Sequence, residues 1–248
     1  MGQEDSYIKI IRLDETDSTN RWMAEYKGTE GRILTVALAE NQTAGKGMGS
    51  NKWESEKGKN LTFSVLIRPN ALKATKQFAI TEATALSLLE ALGTFGEGFS
   101  IKWPNDIYWN DRKISGTLSE CSITGGIVVS CIIGIGININ QEKFLSDAPN
   151  PASLRYITGM ETDREWVLSH VLRQMASYKL LIDEGKLDDI NRRYREKLYR
   201  KEGIFAYRDH TGEFRASMEG ITEIGRLRLR TPDGNIREYG FKEVEYIL

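Results

Sequence analysis

Only two cysteines, Cys121 and Cys131, and two histidines, His170 and His210, occur in 248 residues. Two cysteines cannot build a disulfide framework, so both are expected as free thiols in neighbouring strands of a protein kept in a reducing compartment. There is no CxxC and no Cys/His cluster, which excludes a structural zinc site. No run of about 18 apolar residues is present, so no membrane span is expected. The opening stretch MGQEDSYIKI has no signal-peptide core. An excess of basic charge is missing too. The 34 Lys and Arg against 35 Asp and Glu leave a net charge of −1, which argues against a dedicated DNA partner. Neither G-x-x-x-x-G-K-[ST] nor GxGxxG occurs, so the two commonest phosphate-binding loops are excluded. These absences point to a cytoplasmic globular protein with no nucleic-acid or membrane partner.

What is present divides into two regions. Tyr7–Leu13, Ile33–Ala39 and Leu61–Ile67 are short apolar runs with strand character. Ser18 or Thr19 is placed to cap a helix carrying Trp22, Met23 and Tyr26. Lys76–Leu92, rich in Ala and Leu and followed by Gly93, predicts a buried helix. Strands are expected at Ile101–Trp103, Ile107–Trp109, Ile114–Ser122 and Ile127–Ile139, the last two joined through Thr124-Gly125-Gly126. Val167, Val171, Met175, Tyr178 and Ile182 recur at helical spacing across Arg164–Gly185, and Ile190, Tyr194 and Leu198 define a second helix. From about Gly203 the pattern becomes short strands and tight turns. The expected fold is α+β: a largely antiparallel mixed sheet with helices on one face over residues 1–200, and a small β-barrel over 201–248.

The stretch KWPNDIYWNDRKISG, from Lys102 to Gly116, is unusual for scaffold. With Asn110-Asp111 as a two-residue hairpin loop, Trp109 pairs with Arg112, Tyr108 with Lys113, Ile107 with Ile114 and Asp106 with Ser115. Cross-strand partners share a face. Asp106, Tyr108, Lys113 and Ser115 therefore point together, followed by Thr117 and Ser119, while Ile107 and Ile114 face the core. A solvated face carrying a surface ion pair gives the same local pattern.

Three further segments carry chemistry. In Glu40–Asn60, four glycines and four lysines surround Trp53. Glycine lets backbone N–H groups turn toward an anion and lysine adds point charge, so the loop reads as one that orders on an anionic ligand; a plain surface loop is the alternative. GIGININ, Gly134–Asn140, ends an apolar strand with glycines that permit close approach or a bulge. DSTN, Asp17–Asn20, alone is a helix-capping cluster.

In this order, the four segments resemble the biotin–protein ligases. The hallmarks of that family stand here as Ser18-Thr19-Asn20, as Gln42-Thr43-Ala44-Gly45-Lys46-Gly47 running to Trp53, as Lys102–Asp106 with Arg112-Lys113-Ile114-Ser115-Gly116, and as Gly134–Asn138. The resemblance spans nearly the whole chain and implies that the terminal barrel is SH3-like. It implies formation of biotinyl-5′-adenylate and pyrophosphate from biotin and ATP with Mg2+, then transfer of biotin to one lysine of a biotin carboxyl carrier domain. By the same resemblance Lys113 touches the biotin carboxylate and the α-phosphate, Asp106 orients or deprotonates the acceptor amine, and Lys102 positions phosphate. Ser18, Thr19, Asn20 and Gln42 are expected around the biotin ring with Gly116 and Gly136. Gly45, Lys46, Gly47 and Met48 form the loop over it, while Lys46, Lys52, Trp53, Asn105, Lys113 and Asn138 serve ATP. No protein-held metal is implied, and the chain is expected as a monomer or homodimer.

One departure stands out. The family loop usually reads G-R-G-R-x-G-R, whereas this chain has Lys46, Met48 and Asn51 at arginine positions, so weaker retention of the adenylate is expected. Some family members begin with a DNA-binding helix-turn-helix; here the pattern starts within the first twenty residues, and no repressor role is expected. Lipoate ligases share the fold but usually carry an R-R-x-x-G-G loop with a nearby histidine, and no histidine precedes His170 here. A non-enzymatic binding module is the remaining alternative, distinguished by failure to release pyrophosphate from ATP.

Overall fold

The computed structural model describes residues 7–28, 31–47, 49, 51–145 and 150–248. Seven strands form one sheet: β1 (Ile8–Leu13), β2 (Leu34–Ala39), β3 (Leu61–Ile67), β4 (Phe99–Lys102), β5 (Asp106–Trp109), β6 (Arg112–Thr124) and β7 (Ile127–Ile137). Their spatial order is β1-β2-β3-β7-β6-β5-β4; only β1 and β2 pair in parallel, every other neighbour being antiparallel. β2 and β3 are buried on both faces, which is why they read as unbroken apolar runs.

The helices do not all lie on one face, as the sequence had led us to expect. α2 (Phe78–Leu92), α3 (Leu154–Thr158), α4 (Arg164–Asp183) and α5 (Leu187–Glu196) share the main core with Phe63, Val65, Ile133, Ile135 and Ile137. α1 (Thr19–Glu25) packs on the other face, where Met23 meets Ala37 and Leu66 in a separate cluster. A seven-residue helix cannot cover that face, and the uncovered remainder holds the site described below. α3 had no sequence signal: five residues are too few for a periodicity. Residues 74–95 are long and apolar enough to resemble a membrane span, yet 72% of the most apolar 18-residue stretch within them is buried inside the protein. Its composition reflects packing between sheet, α4 and α5.

A second, five-stranded antiparallel sheet follows: β8 (Phe205–Asp209), β9 (Gly212–Ile221), β10 (Leu227–Arg230), β11 (Ile236–Tyr239) and β12 (Glu245–Tyr246), in the order β11-β10-β9-β8-β12. This is the small β unit expected from the turn spacing, and it is consistent with the SH3-like barrel that the resemblance implies. Tyr207, Leu227, Leu229, Tyr239 and Val244 fill its interior, whereas Ile236 is exposed. It docks on the main sheet through Phe241, whose ring lies 5.5 Å from that of Trp103 and 6.3 Å from that of Phe78.

Candidate active site

The β5–β6 hairpin turns at Asn110-Asp111 with Asn110 at φ 48°, and the pairs Trp109–Arg112 and Tyr108–Lys113 form as expected. A bulge then intervenes, and Ile107 pairs with Ser115 instead of Ile114. This corrects the expected face. Ser115, Thr117 and Ser119 pair with Ile137, Ile135 and Ile133, and the Ser115 hydroxyl donates to the Gly136 carbonyl at 2.7 Å. Gly116 takes the place beside Lys113: a Cβ built there would lie 3.0 Å from Lys113 Nζ and 3.1 Å from Asp106 Oδ1. The bulge thus sets a charged pair over a bare patch of backbone.

Lys113 Nζ stands 2.7 Å from Asp106 Oδ2, with side chains 30% and 20% exposed. The backbone beneath Lys113 is locked: its N–H donates to Asn150 O at 3.0 Å and its carbonyl accepts from Ala152 N at 2.9 Å. Asn138 holds that added segment, donating from Nδ2 to Ala152 O at 3.1 Å; its Oδ1 is buried without a hydrogen-bond partner among the described residues. Lys102 pairs across β4–β5 with Asp106 and donates to Tyr108 OH at 3.2 Å. Its ammonium lies 5.1 Å from the ring centroids of both Tyr108 and Tyr246. Burial lowers its pKa, and Asp106 opposes that shift. Tyr246 belongs to β12, so the second sheet reaches this patch.

Beyond the bulge, Gly134 and Gly136 admit side chains that a Cβ would exclude. Asn20 packs on Gly134, and the Trp53 indole lies over Gly136, where a Cβ would fall 2.2 Å from Cε2. Around Asn20 runs a polar network. Thr19 N and Oγ1 donate to Gln42 Oε1 at 2.8 and 3.0 Å. Ser64 Oγ lies 2.7 Å from Thr19 Oγ1 and 2.6 Å from Asn20 Oδ1, and Asn20 Nδ2 donates to Glu120 Oε2 at 2.7 Å. Ser18 occupies the N-cap position but makes no capping bond through its side chain. Ser64 and Glu120 had been missed; the one hint was a serine inside the apolar run LTFSVLI.

The Gly45–Trp53 loop folds back on itself. Gly47 N donates to Asn51 O at 2.8 Å and Trp53 N to Gly45 O at 3.0 Å, and Lys46 and Lys52 face each other as an antiparallel bridge. Both lysines are exposed, and among the described residues neither forms an ion pair. Like charges placed opposite one another disfavour pairing unless an anion neutralises them. Trp53 Nε1 is a second buried polar atom without a partner among the described residues. Met48 lies outside the described residues. Asn105 is engaged within the fold: its Nδ2 donates to Thr117 O, pinning the β4–β5 turn to β6. No cluster of three His, Cys, Asp or Glu side chains able to hold a metal occurs among the described residues.

The site therefore gathers two cations, a carboxylate, a hydroxyl–amide network and two opposed lysines on the face that α1 leaves open. Residues 13–138 match the model of the biotin/lipoate A/B protein ligase family. The chain belongs to that family. A biotin–[acetyl-CoA-carboxylase] ligase of Paracoccus denitrificans is 30% identical over 232 residues, covering 90% of this chain and 94% of the relative. The bifunctional ligase/repressor BirA of Bacillus spizizenii is 36% identical over 179 residues, 69% of this chain, and the chain spans about half the length of that relative, 52%. Among solved structures, a biotin protein ligase from Aquifex aeolicus in complex with biotin and ATP superimposes with a TM-score of 0.79 at 28% identity, covering 96% of this chain and 99% of that one. The biotin/lipoate ligase fold thus accounts for both sheets.

Proposed function

We propose that this chain is an ATP-dependent biotin–protein ligase acting on a lysine of a biotin carboxyl carrier domain. The observation that carries the reading is the Lys113–Asp106 pair over Gly116, 2.7 Å apart and open to solvent on one side. Both side chains keep some exposure, so water can solvate either partner when the pair separates. In the first step a biotin carboxylate oxygen attacks the α-phosphorus of ATP and pyrophosphate leaves. Lys113 moves from Asp106 to the two anions meeting there and stabilises the charge that develops. Lys46 and Lys52, opposed and without carboxylate partners among the described residues, serve the phosphates. Mg2+ arrives with the nucleotide, held mainly by phosphate oxygens and water.

In the second step the acceptor amine attacks the acyl carbon and AMP leaves. Asp106, released from Lys113, accepts the proton or orients the neutral amine. Thr19, Asn20 and Gln42 supply donors and acceptors for a ureido ring, with Ser18 at their edge, and Gly45 and Gly47 let the loop backbone approach. Asn138 Oδ1 and Trp53 Nε1, both buried without partners among the described residues, favour a polar ligand beside β7. The Paracoccus relative, named for acetyl-CoA carboxylase, supports a carboxylase as the source of the acceptor.

The test is pyrophosphate release from ATP with biotin, with lipoate and with neither. Biotin-dependent release, reduced about 10²- to 10³-fold in Lys113→Ala, is expected. Release with lipoate alone would replace the substrate, and no release under any condition would remove the enzyme reading.

A further inference from the structure

We propose that Cys121 and Cys131 form a reversible dithiol–disulfide pair, a modification site on the β6–β7 hairpin whose closure is felt at Asn20 through Glu120. The two cysteines are direct cross-strand partners, and their sulfurs lie 2.6 Å apart. The hairpin holds them there, closed by Thr124–Ile127 pairing beyond a bulge at Ser122/Ile123. Little chain entropy remains to be lost on bonding. Their environments differ: Cys131 is fully buried against the main core, while Cys121 keeps partial exposure. The hydrogen bond between the two sulfurs holds the Cys121 thiol below its ordinary range, and the same contact with burial pushes Cys131 up. This is the asymmetry of an attacking thiolate beside a resolving thiol.

The co-reactant is a low-molecular-weight disulfide of the glutathione class. The Cys121 thiolate attacks one of its sulfurs and expels one small thiol, leaving a mixed disulfide. Cys131 sulfur then attacks Cys121 Sγ and expels the second. Two protein thiols are oxidised to one disulfide, and one small disulfide is reduced to two thiols that carry away both protons.

The next residue along β6 is Glu120, whose side chain emerges on the opposite face and accepts from Asn20 Nδ2 at 2.7 Å. Its cross-strand partner Ile132 packs against α1. Drawing the strands together at Cys121–Cys131 shifts this neighbouring row and the amide it anchors. The coupling to ligand affinity rests on the biotin reading above; the disulfide chemistry does not.

The purified chain is reduced, exposed to glutathione disulfide at neutral pH, and read by intact mass and thiol titration after denaturation. The wild type is expected to lose both thiols and two hydrogens in mass, to retain no glutathione, and to recover fully in dithiothreitol. Cys131→Ser is expected to trap glutathione on Cys121, and Cys121→Ser to remain unmodified. A wild type that keeps both thiols, or keeps a stable glutathione adduct, overturns the proposal. Biotin affinity is then compared between the oxidised and reduced forms, with the doubly serine-substituted chain as control. A several-fold weakening confined to the oxidised wild type supports the coupling, and equal affinities overturn it. Because mass and thiol count do not involve biotin, failure of biotin binding in the reduced protein would count against the ligase reading alone.

Discussion

Replacing Glu82 by glutamine should make the protein more stable at neutral and alkaline pH, not less. Glu82 lies on α2 with 2% of its surface exposed, facing α5. Asn191 Nδ2 donates to its Oε1 at 2.6 Å, and Arg195 is near enough to lower its pKa. Burial dominates and raises the carboxyl to about 7 from an ordinary 4.5. A raised folded-state pKa in an acid means that the native protein holds the proton more tightly than the unfolded chain. The stability it confers is complete below about pH 4.5 and is lost as pH rises through 7. A shift of about 2.5 units corresponds to about 3 kcal/mol at 1.36 kcal/mol per unit. Glutamine fits the same space, can still pair with Asn191 and does not titrate. Urea unfolding of both forms from pH 4.5 to 8.5 is the assay. The two curves should nearly coincide at the acid end and separate progressively above pH 5, Glu82→Gln being the more stable by up to about 3 kcal/mol. A difference that does not vary with pH, or a variant destabilised throughout, would refute the reasoning. The joint is worth testing because Arg195 also donates to Ile221 O of the second sheet, and the adjacent Tyr194 donates to Pro104 O in the KWPND turn.

Two further substitutions separate ligand contacts from scaffold. Gly136→Ala places a methyl 2.2 Å from the Trp53 ring, so Trp53 must leave the sheet. Its emission should shift to the red relative to a Trp53→Phe background, and ATP affinity should fall with the fold intact; unchanged emission sinks the idea. Asn105→Ala leaves the Thr117 carbonyl short of a donor and should cost about 1–3 kcal/mol in urea unfolding. Unchanged stability with weaker ATP binding would show instead that Asn105 serves the nucleotide.

Much of the fold was legible because single segments carried it. LTFSVLI forms β3 without a residue's error, and the Val167–Ile182 spacing falls on the buried side of α4. The hairpin register was legible only as far as Lys113. Nothing in Ile114-Ser115-Gly116 marks which residue is the extra one, since a bulge is decided by the pairing of β6 with both β5 and β7. The expected face therefore inverted at Ser115, and Gly116 lies directly beside Lys113 and Asp106, a placement the motif alone does not give. Asn105 is expected at the nucleotide from its motif; the structure adds that its amide bonds to the carbonyl of Thr117, twelve residues away, a contact no local pattern encodes. Tyr246 was invisible for a stronger reason: its place above Lys102 depends on how two sheets dock.

That tyrosine bears on modularity. The second sheet resembles a unit that recombination could exchange between relatives, with its own interior and turns. Yet its last strand supplies one of the two rings flanking Lys102. An exchanged barrel lacking an aromatic side chain at that position would leave Lys102 with one ring instead of two and more open to water. Inheritance of the two parts is therefore tied at one side chain, and co-variation between position 246 and position 102 is where that tie would be written.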